Sequence, residues 1–358
     1  MNKLKVSNQA IFISIFIVLF TKILLFLLFE TDYLILPIGG GSDADYYDAF
    51  AKGYEDYTTS LWPIFLKFLS DSGFYSRSII SYVIFGIHLF LLPFLTTVVA
   101  NLKFNKNQKE YFYCILLMLI YPTLFFYSMD IYRDTVMLLI FLLGCLTVKK
   151  YINTNEIIIK IFFFILSIVF LFLLYGFRPY LGFGFLMALI FWRIKLNAKK
   201  TISLGFIYLL ILFVLNFYGY LDPLTKYREG FTENADVSSG STLGIDFSDP
   251  VMFIPNFILS ILGQLFGLFF VNPLSVLLWI IESLPFIFMF FYIIKNIRYA
   301  NPFIRFLLVF FVAYGSVWLI GNDNLGTAVR LRMFNYIVVY ICFFLLLGEK
   351  HKQLFSKK

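Results

Sequence analysis

Residues Ile11 to Phe29 read IFISIFIVLFTKILLFLLF, nineteen positions with one charge, Lys22. A surface helix of a water-soluble protein keeps a polar face; this stretch has none. About 20 consecutive apolar residues is the length that crosses a hydrocarbon core of ~30 Å, so the segment is a membrane span. Working outward, similar runs recur at 78–100, 111–128, 134–148, 157–175, 181–194, 201–217, 275–294, 303–320 and 333–347. The expectation is an all-α, polytopic transmembrane helix bundle of about ten spans forming a single integral membrane domain over residues 1–358. The fourth and sixth runs are short and are the ones expected to be broken or unusually tilted. The composition agrees: of 358 residues 61% are apolar, 21% aromatic and 14% charged, with 48 Phe. Soluble domains average nearer 45–50% apolar and about 25% charged. A disordered chain, a disulfide scaffold and a nucleic-acid binder are excluded on the same grounds.

Loop charge sets the expected orientation. With the N-terminus in the cytoplasm, 19 of the 29 Lys and Arg fall on the cytoplasmic side, together with only Glu110, Glu156 and Glu349 among the acids. The basic net charge of +8 is then a positive-inside signature with an acidic outer face, and both termini are expected in the cytoplasm. Met252 to Val271 is apolar enough for a further span. Counting it would invert everything after it, and it carries Pro255, Asn256 and Gln264, so it is read as an interfacial or re-entrant outer helix. The first span is longer than the apolar core of a cleaved signal peptide and is expected to stay in place. Two outer segments result, 30–77 and 218–274, the first holding an interfacial helix and the second a long loop before the eighth span.

Charges at depth are costly and few. Lys22 is expected to snorkel outward, and Glu282 either partners a basic group or takes part in chemistry. Polar groups concentrate instead at the outer helix ends. After the first span stands Gly39-Gly40-Gly41-Ser42-Asp43-Ala44-Asp45, where Ser42 and Asp45 form a capping-box pattern. On the helix they open, Tyr46, Phe50 and Tyr54 share a face that would lie on the bilayer, with Asp43 and Asp45 held above it. These acids either satisfy the helix dipole or serve as the catalytic carboxylates. In the turn Tyr121-Pro122…Ser128…Arg133-Asp134, the last two residues either cap helix ends or hold a phosphate. Arg178, among Tyr175, Phe177 and Tyr180, is a snorkelling belt arginine or a second phosphate contact. Arg330 and Arg332, at the opening of the last span, need a polar partner, either a phosphate or an acid such as Asp323. The long outer segment adds Arg228 as a further substrate contact, several acids, and the run Ser238-Ser239-Gly240-Ser241-Thr242. No metal-ligand spacing, Walker loop or nucleophile elbow is present, and no cofactor is expected; assistance of the aspartates by a divalent metal stays open.

The acidic Gly-rich first outer loop, the Tyr-Pro…Ser…Arg-Asp turn, and the Arg330-Leu331-Arg332 opening of the last span together resemble the GT-C class of polytopic glycan-transferring enzymes. The Ser-rich loop followed by Asp249-Pro250, Pro255 and Asn272-Pro273 is similar to Wzy-type O-antigen and capsule polymerases. That resemblance implies a multi-pass protein of the bacterial inner membrane that joins polyprenyl-diphosphate-linked oligosaccharide repeat units on the periplasmic side. Its partners would be a lipid-linked glycan donor and acceptor, membrane lipid and a chain-length regulator, with no nucleic acid. A GT-C glycosyltransferase adding one sugar from a polyprenyl-phosphate donor is the alternative; a lipid-linked sugar transporter fits the clean spans less well. Ligase-like members of the polymerase group use a histidine in the long outer loop, which this chain lacks.

Overall fold

The computed structural model describes residues 7–31, 33, 41–195, 197–233 and 242–355. Gly39, Gly40, Asp236, the Ser238–Ser241 run and the side chain of Ser42 lie outside the described set. The described residues form helices and connecting turns, with no strand and one isolated bridge, Thr242 to Asn324. Among the described residues, eight helices are long and apolar enough to cross a membrane. They carry outward-facing Phe16, Phe20, Ile158, Phe172 and Phe206, side chains that suit lipid rather than water. The chain groups into two compact units, residues 1–182 and 183–358, taken in turn below.

In the first unit, α1 (Asn8–Glu30) starts where Ser7 accepts a hydrogen bond from the Ala10 amide at 3.1 Å. It packs against α4 (Arg77–Val99) and α5 (Gln108–Ile120) through Ile11, Ile15, Phe26, Phe85, Leu89 and Leu119, with the Phe26 and Phe85 rings stacked at 4.0 Å. Two short helices precede α4, namely α2 (Gly41–Ala51) and α3 (Leu61–Asp71). The expected aromatic face on α2 is corrected here. The helix ends before Tyr54, which is exposed, and the buried face is Ala44, Tyr47, Phe50 and Ala51 because α3 packs there. Tyr46 instead donates to the Tyr57 carbonyl at 2.5 Å.

The expected third span is also interrupted. Pro122 has no amide hydrogen and disfavours a helical residue before it, so Tyr121 is extended (ψ 106°) and α5 gives way to the five-residue α6 (Pro122–Phe126). The fourth run, expected to be short, is the continuous 21-residue α7 (Arg133–Asn153). A three-residue turn leads to α8 (Ile157–Phe177), and a buried Thr147–Ser167 hydrogen bond of 3.0 Å joins the two. Lys22 does not snorkel. It is 6% exposed and bonded to His88, which a π-helical turn at Ile87–Leu91 within α4 presents.

The sixth run is the 13-residue α9 (Pro179–Phe191), which carries the chain across the division between units. In the second unit, α10 (Ala198–Phe217), α11 (Asp222–Glu233) and α12 (Pro250–Leu265) precede three long helices. These are α13 (Pro273–Tyr299), α14 (Pro302–Gly321) and α15 (Leu325–Phe355). Three helix starts share one device. Asp249, Asn272 and Asn301 accept amide hydrogens of the first turn, and a proline follows each at the position whose amide needs no partner. α14 and α15 form the centre of this unit, with 78% and 83% of their apolar stretches buried, against 11% for α10. Gly184 lets α9 approach α14, since a Cβ there would sit 2.7 Å from Tyr314 Cβ. Two further π turns occur, at Ile261–Leu265 in α12 and Trp279–Ser283 in α13.

Candidate functional site

Two of the residues singled out in the sequence line one cleft in the first unit, and two more act on one of them. Asp43, in the first turn of α2, and Arg133, at the start of α7, both line a cleft of about 210 Å³ together with Tyr46, Tyr47, Tyr57, Thr58, Thr59 and Ser60. Arg178 stands at the end of α8 with its guanidinium over the Tyr180 ring (5.5 Å), and it and Asp134 are among the groups that act electrostatically on Arg133. Local bonds hold this corner together. Arg133 Nη1 donates to the Phe177 carbonyl at 3.2 Å, Ser60 Oγ donates to the same carbonyl at 3.3 Å, and the Trp62 indole donates to Ile131 O at 2.7 Å. The start of α3, the end of α8 and the turn before α7 are therefore bonded into one frame. Arg133 forms no ion pair among the described residues, and its Nε is buried without a hydrogen-bond partner.

Asp45 is engaged elsewhere. It pairs with Arg77 Nη2 at 2.9 Å, and the same guanidinium grips Asp130 in a two-point contact of 2.5 and 3.0 Å and reaches Asp48 at 4.0 Å. Neither Arg77 nor Asp130 stood out in the sequence. Their contact nonetheless fixes α2, which carries Asp43, to the turn that leads into Arg133. Asp48 completes the cluster with bonds from Lys52 and from the Tyr75 hydroxyl, both at 2.7 Å. Burial alone would raise its carboxyl pKa, but those two donors and the nearby cations outweigh it and hold the group below the ordinary carboxylate value. Tyr75 is shifted upward, by burial first and then by its bond to Asp48.

The arginines of the second unit serve a different purpose. Arg228 on α11 is 3% exposed and pairs with fully buried Asp323. It also donates to the carbonyls of Leu319, Ile320 and Asn322 at 3.2, 3.3 and 2.6 Å, which caps the C-terminal end of α14. Its Nε donates to Ile245 O at 2.8 Å. Burial pulls its pKa down to about 10 in spite of the aspartate. Asp323 additionally accepts from the Gly244 amide at 3.0 Å, so this pair anchors the described part of the long loop. Arg332 pairs with Glu282 at 3.2 Å, both buried, which settles Glu282 as the partner of a basic group. Gly267 (φ 68°) makes room for it, since a Cβ there would lie 2.6 Å from Arg332 Nη1. Arg330 is half-buried two residues nearer the start of α15.

Chemically, the first unit presents the Arg133 guanidinium, hydroxyls and an aspartate around one opening, a set suited to an anionic, hydroxyl-rich ligand. Among the described residues no group of three or more His, Cys, Asp or Glu side chains is placed to hold a metal ion. No family model, curated protein or solved structure matches the chain.

Proposed function

We propose that the chain is a surface-polysaccharide polymerase of the bacterial inner membrane, joining polyprenyl-diphosphate-linked oligosaccharide repeat units on the periplasmic side with both termini cytoplasmic. The observation that carries this reading is the shared cleft of Asp43 and Arg133, lined by hydroxyls and tyrosines, with Arg178 beside it. In this reading Arg133 and Arg178 hold the donor diphosphate. Asp43 takes the proton of an acceptor sugar hydroxyl, whose oxygen attacks the anomeric carbon of the donor. The bond from that carbon to the diphosphate oxygen breaks, and the lipid-bound diphosphate leaves with the bonding pair. Contacts from the guanidinium groups strengthen as charge builds on the leaving group, which lowers the barrier selectively in the transition state. Asp45, tied to Arg77, positions α2, while Arg228 and Arg332 serve the fold of the second unit.

The test is the glycan made by a deletion strain. A polymerase deletion leaves surface glycan carrying a single repeat unit; normal long chains would reject the reading. A repeat shortened by one sugar, with chain length intact, would instead assign transfer of a single sugar from a polyprenyl-phosphate donor.

A further inference from the structure

Lys22 and His88 form a hydrogen-bonded pair of bases inside the first unit, Nζ to Nε2 3.0 Å, and the proposed glycan chemistry uses neither. Lys22 is 6% exposed and His88 has no exposed surface. The pair sits beside a hydrophobic cluster, with the His88 ring against those of Phe85 and Phe125. α1 and α4 contribute Phe26, Phe85 and Leu89; α5 contributes Ile115, Leu116 and Leu119; α6 contributes Phe125, whose ring centre lies 4.4 Å from Nζ; the turn after it contributes Met129. The remaining titratable side chains on these elements are Glu30 at the end of α1, Arg77 and Tyr82 on α4, the ring of Tyr82 against Phe26, and Lys109, Glu110, Tyr111, Tyr113 and buried Cys114 on α5. Asp130 in the following turn is held by Arg77, and α7, which also packs on the π turn, carries Arg133, Asp134, Cys145, Lys149, Lys150 and Tyr151. Among the described residues none of these groups acts electrostatically on Lys22 or His88, and neither base forms an ion pair.

An ammonium has three donors and no acceptor, whereas a neutral imidazole has one of each. If Nε2 accepts from Nζ, the ring proton sits on Nδ1, which is buried without a partner. Two cations at this separation, with no acid in contact, would repel strongly in an apolar setting. A pair without any cation would forfeit the attraction between Nζ and the Phe125 face.

We propose that Lys22 and His88 constitute a single-proton binding site in the membrane interior, the proton held on Nζ between His88 Nε2 and the Phe125 ring. Its presence ties α1 to α6, and α6 runs directly into the turn bearing Asp130 and Arg133. Release of the proton loosens that segment. The site does not depend on the glycan reading, and its test needs no transfer activity.

The sequence holds two histidines, so the full chain carrying His351→Asn and labelled with [15N]histidine reports on His88 alone. In nanodiscs, its ring is expected to carry one proton, on Nδ1, with Nε2 a hydrogen-bond acceptor. Lys22→Arg, whose side chain keeps its proton, should give the same ring signature. Backbone hydrogen exchange over Pro122–Phe126 should match the parent in Lys22→Arg and rise ~10-fold in Lys22→Met, the weight of a desolvated cation–π contact. A doubly protonated ring, a ring protonated on Nε2, an altered ring in Lys22→Arg, or unchanged exchange in a folded Lys22→Met would each overturn the proposal. If Lys22→Met does not fold, the ring signatures of the parent and of Lys22→Arg decide the matter.

Discussion

Arg133, the first residue of α7 in the first unit, and Arg228, midway along α11 in the second, are both largely withdrawn from the surface, yet their surroundings divide them. Arg133 faces a cleft, gives one bond to a backbone carbonyl, and forms no ion pair among the described residues. Arg228 is enclosed, paired with Asp323 and bonded to four carbonyls. A guanidinium whose donors are all taken inside the protein stabilises a fold. One that keeps donor capacity toward an opening is available for a ligand.

The contrast is tested most severely at Asp323. Asp323→Ala strands the buried Arg228 charge and should cost about 3–5 kcal/mol, read as a collapse of thermal stability in nanodiscs. Adding Arg228→Met to Asp323→Leu should recover much of that loss, because removing both partners leaves no uncompensated charge. Asp43→Asn should behave in the opposite way, with unfolding unchanged and repeat-unit transfer lowered ~10²–10⁴-fold in a lipid-linked glycan assay. For Arg133→Ala the expected loss is ~10²–10³-fold in transfer, again at near-parental stability. A melting transition that falls as far in Arg133→Ala as in Asp323→Ala would erase the distinction. A smaller effect concerns Asp48. Because its folded pKa lies below the ordinary value, its contribution to stability is complete above pH ~4 and is lost as the pH falls through the lowered value. Asp48→Asn should remove that acid limb from a pH titration of stability. Lys103→Ala, an exposed site, should change neither readout and sets the baseline.

The first unit also shows what a sequence conveys and what it withholds. Length and apolarity located eight of the ten expected runs as long apolar helices among the described residues, because both are local properties of a segment, while the third run breaks at Pro122 and the sixth is the shorter α9. Residue type placed Asp43, Arg133 and Arg178 near helix ends, and the fold brings them to one corner. Pairings were beyond reach, since partners lie 53 residues apart for Arg77 and Asp130 and 66 for Lys22 and His88. For that reason Asp45 looked equivalent to Asp43, although one pairs with Arg77 and the other lines the cleft. Asp323 or another acid was the alternative to a phosphate as partner for Arg330 and Arg332, whereas the fold gives Asp323 to Arg228 and gives Glu282 to Arg332. The break at Pro122 could have been read from the proline alone; the apolar residues on both sides concealed it.

Among the described residues each of the three π turns holds a buried polar side chain, His88, Gln264 or Glu282, the last next to buried Ser283. A π turn is an inserted residue absorbed within a helix. Deleting one residue there would remove the absorbed residue and leave the remainder of that span in its present phase, whereas the same deletion in a regular stretch would swing everything beyond it by ~100°. Beyond a cut of the second kind every side chain would meet the wrong neighbours, and lipid-facing phenylalanines would exchange places with packed ones. Single-residue shortening within a span should therefore be best tolerated where the helices look irregular, and anyone trimming the chain for engineering should cut there or in the connecting turns.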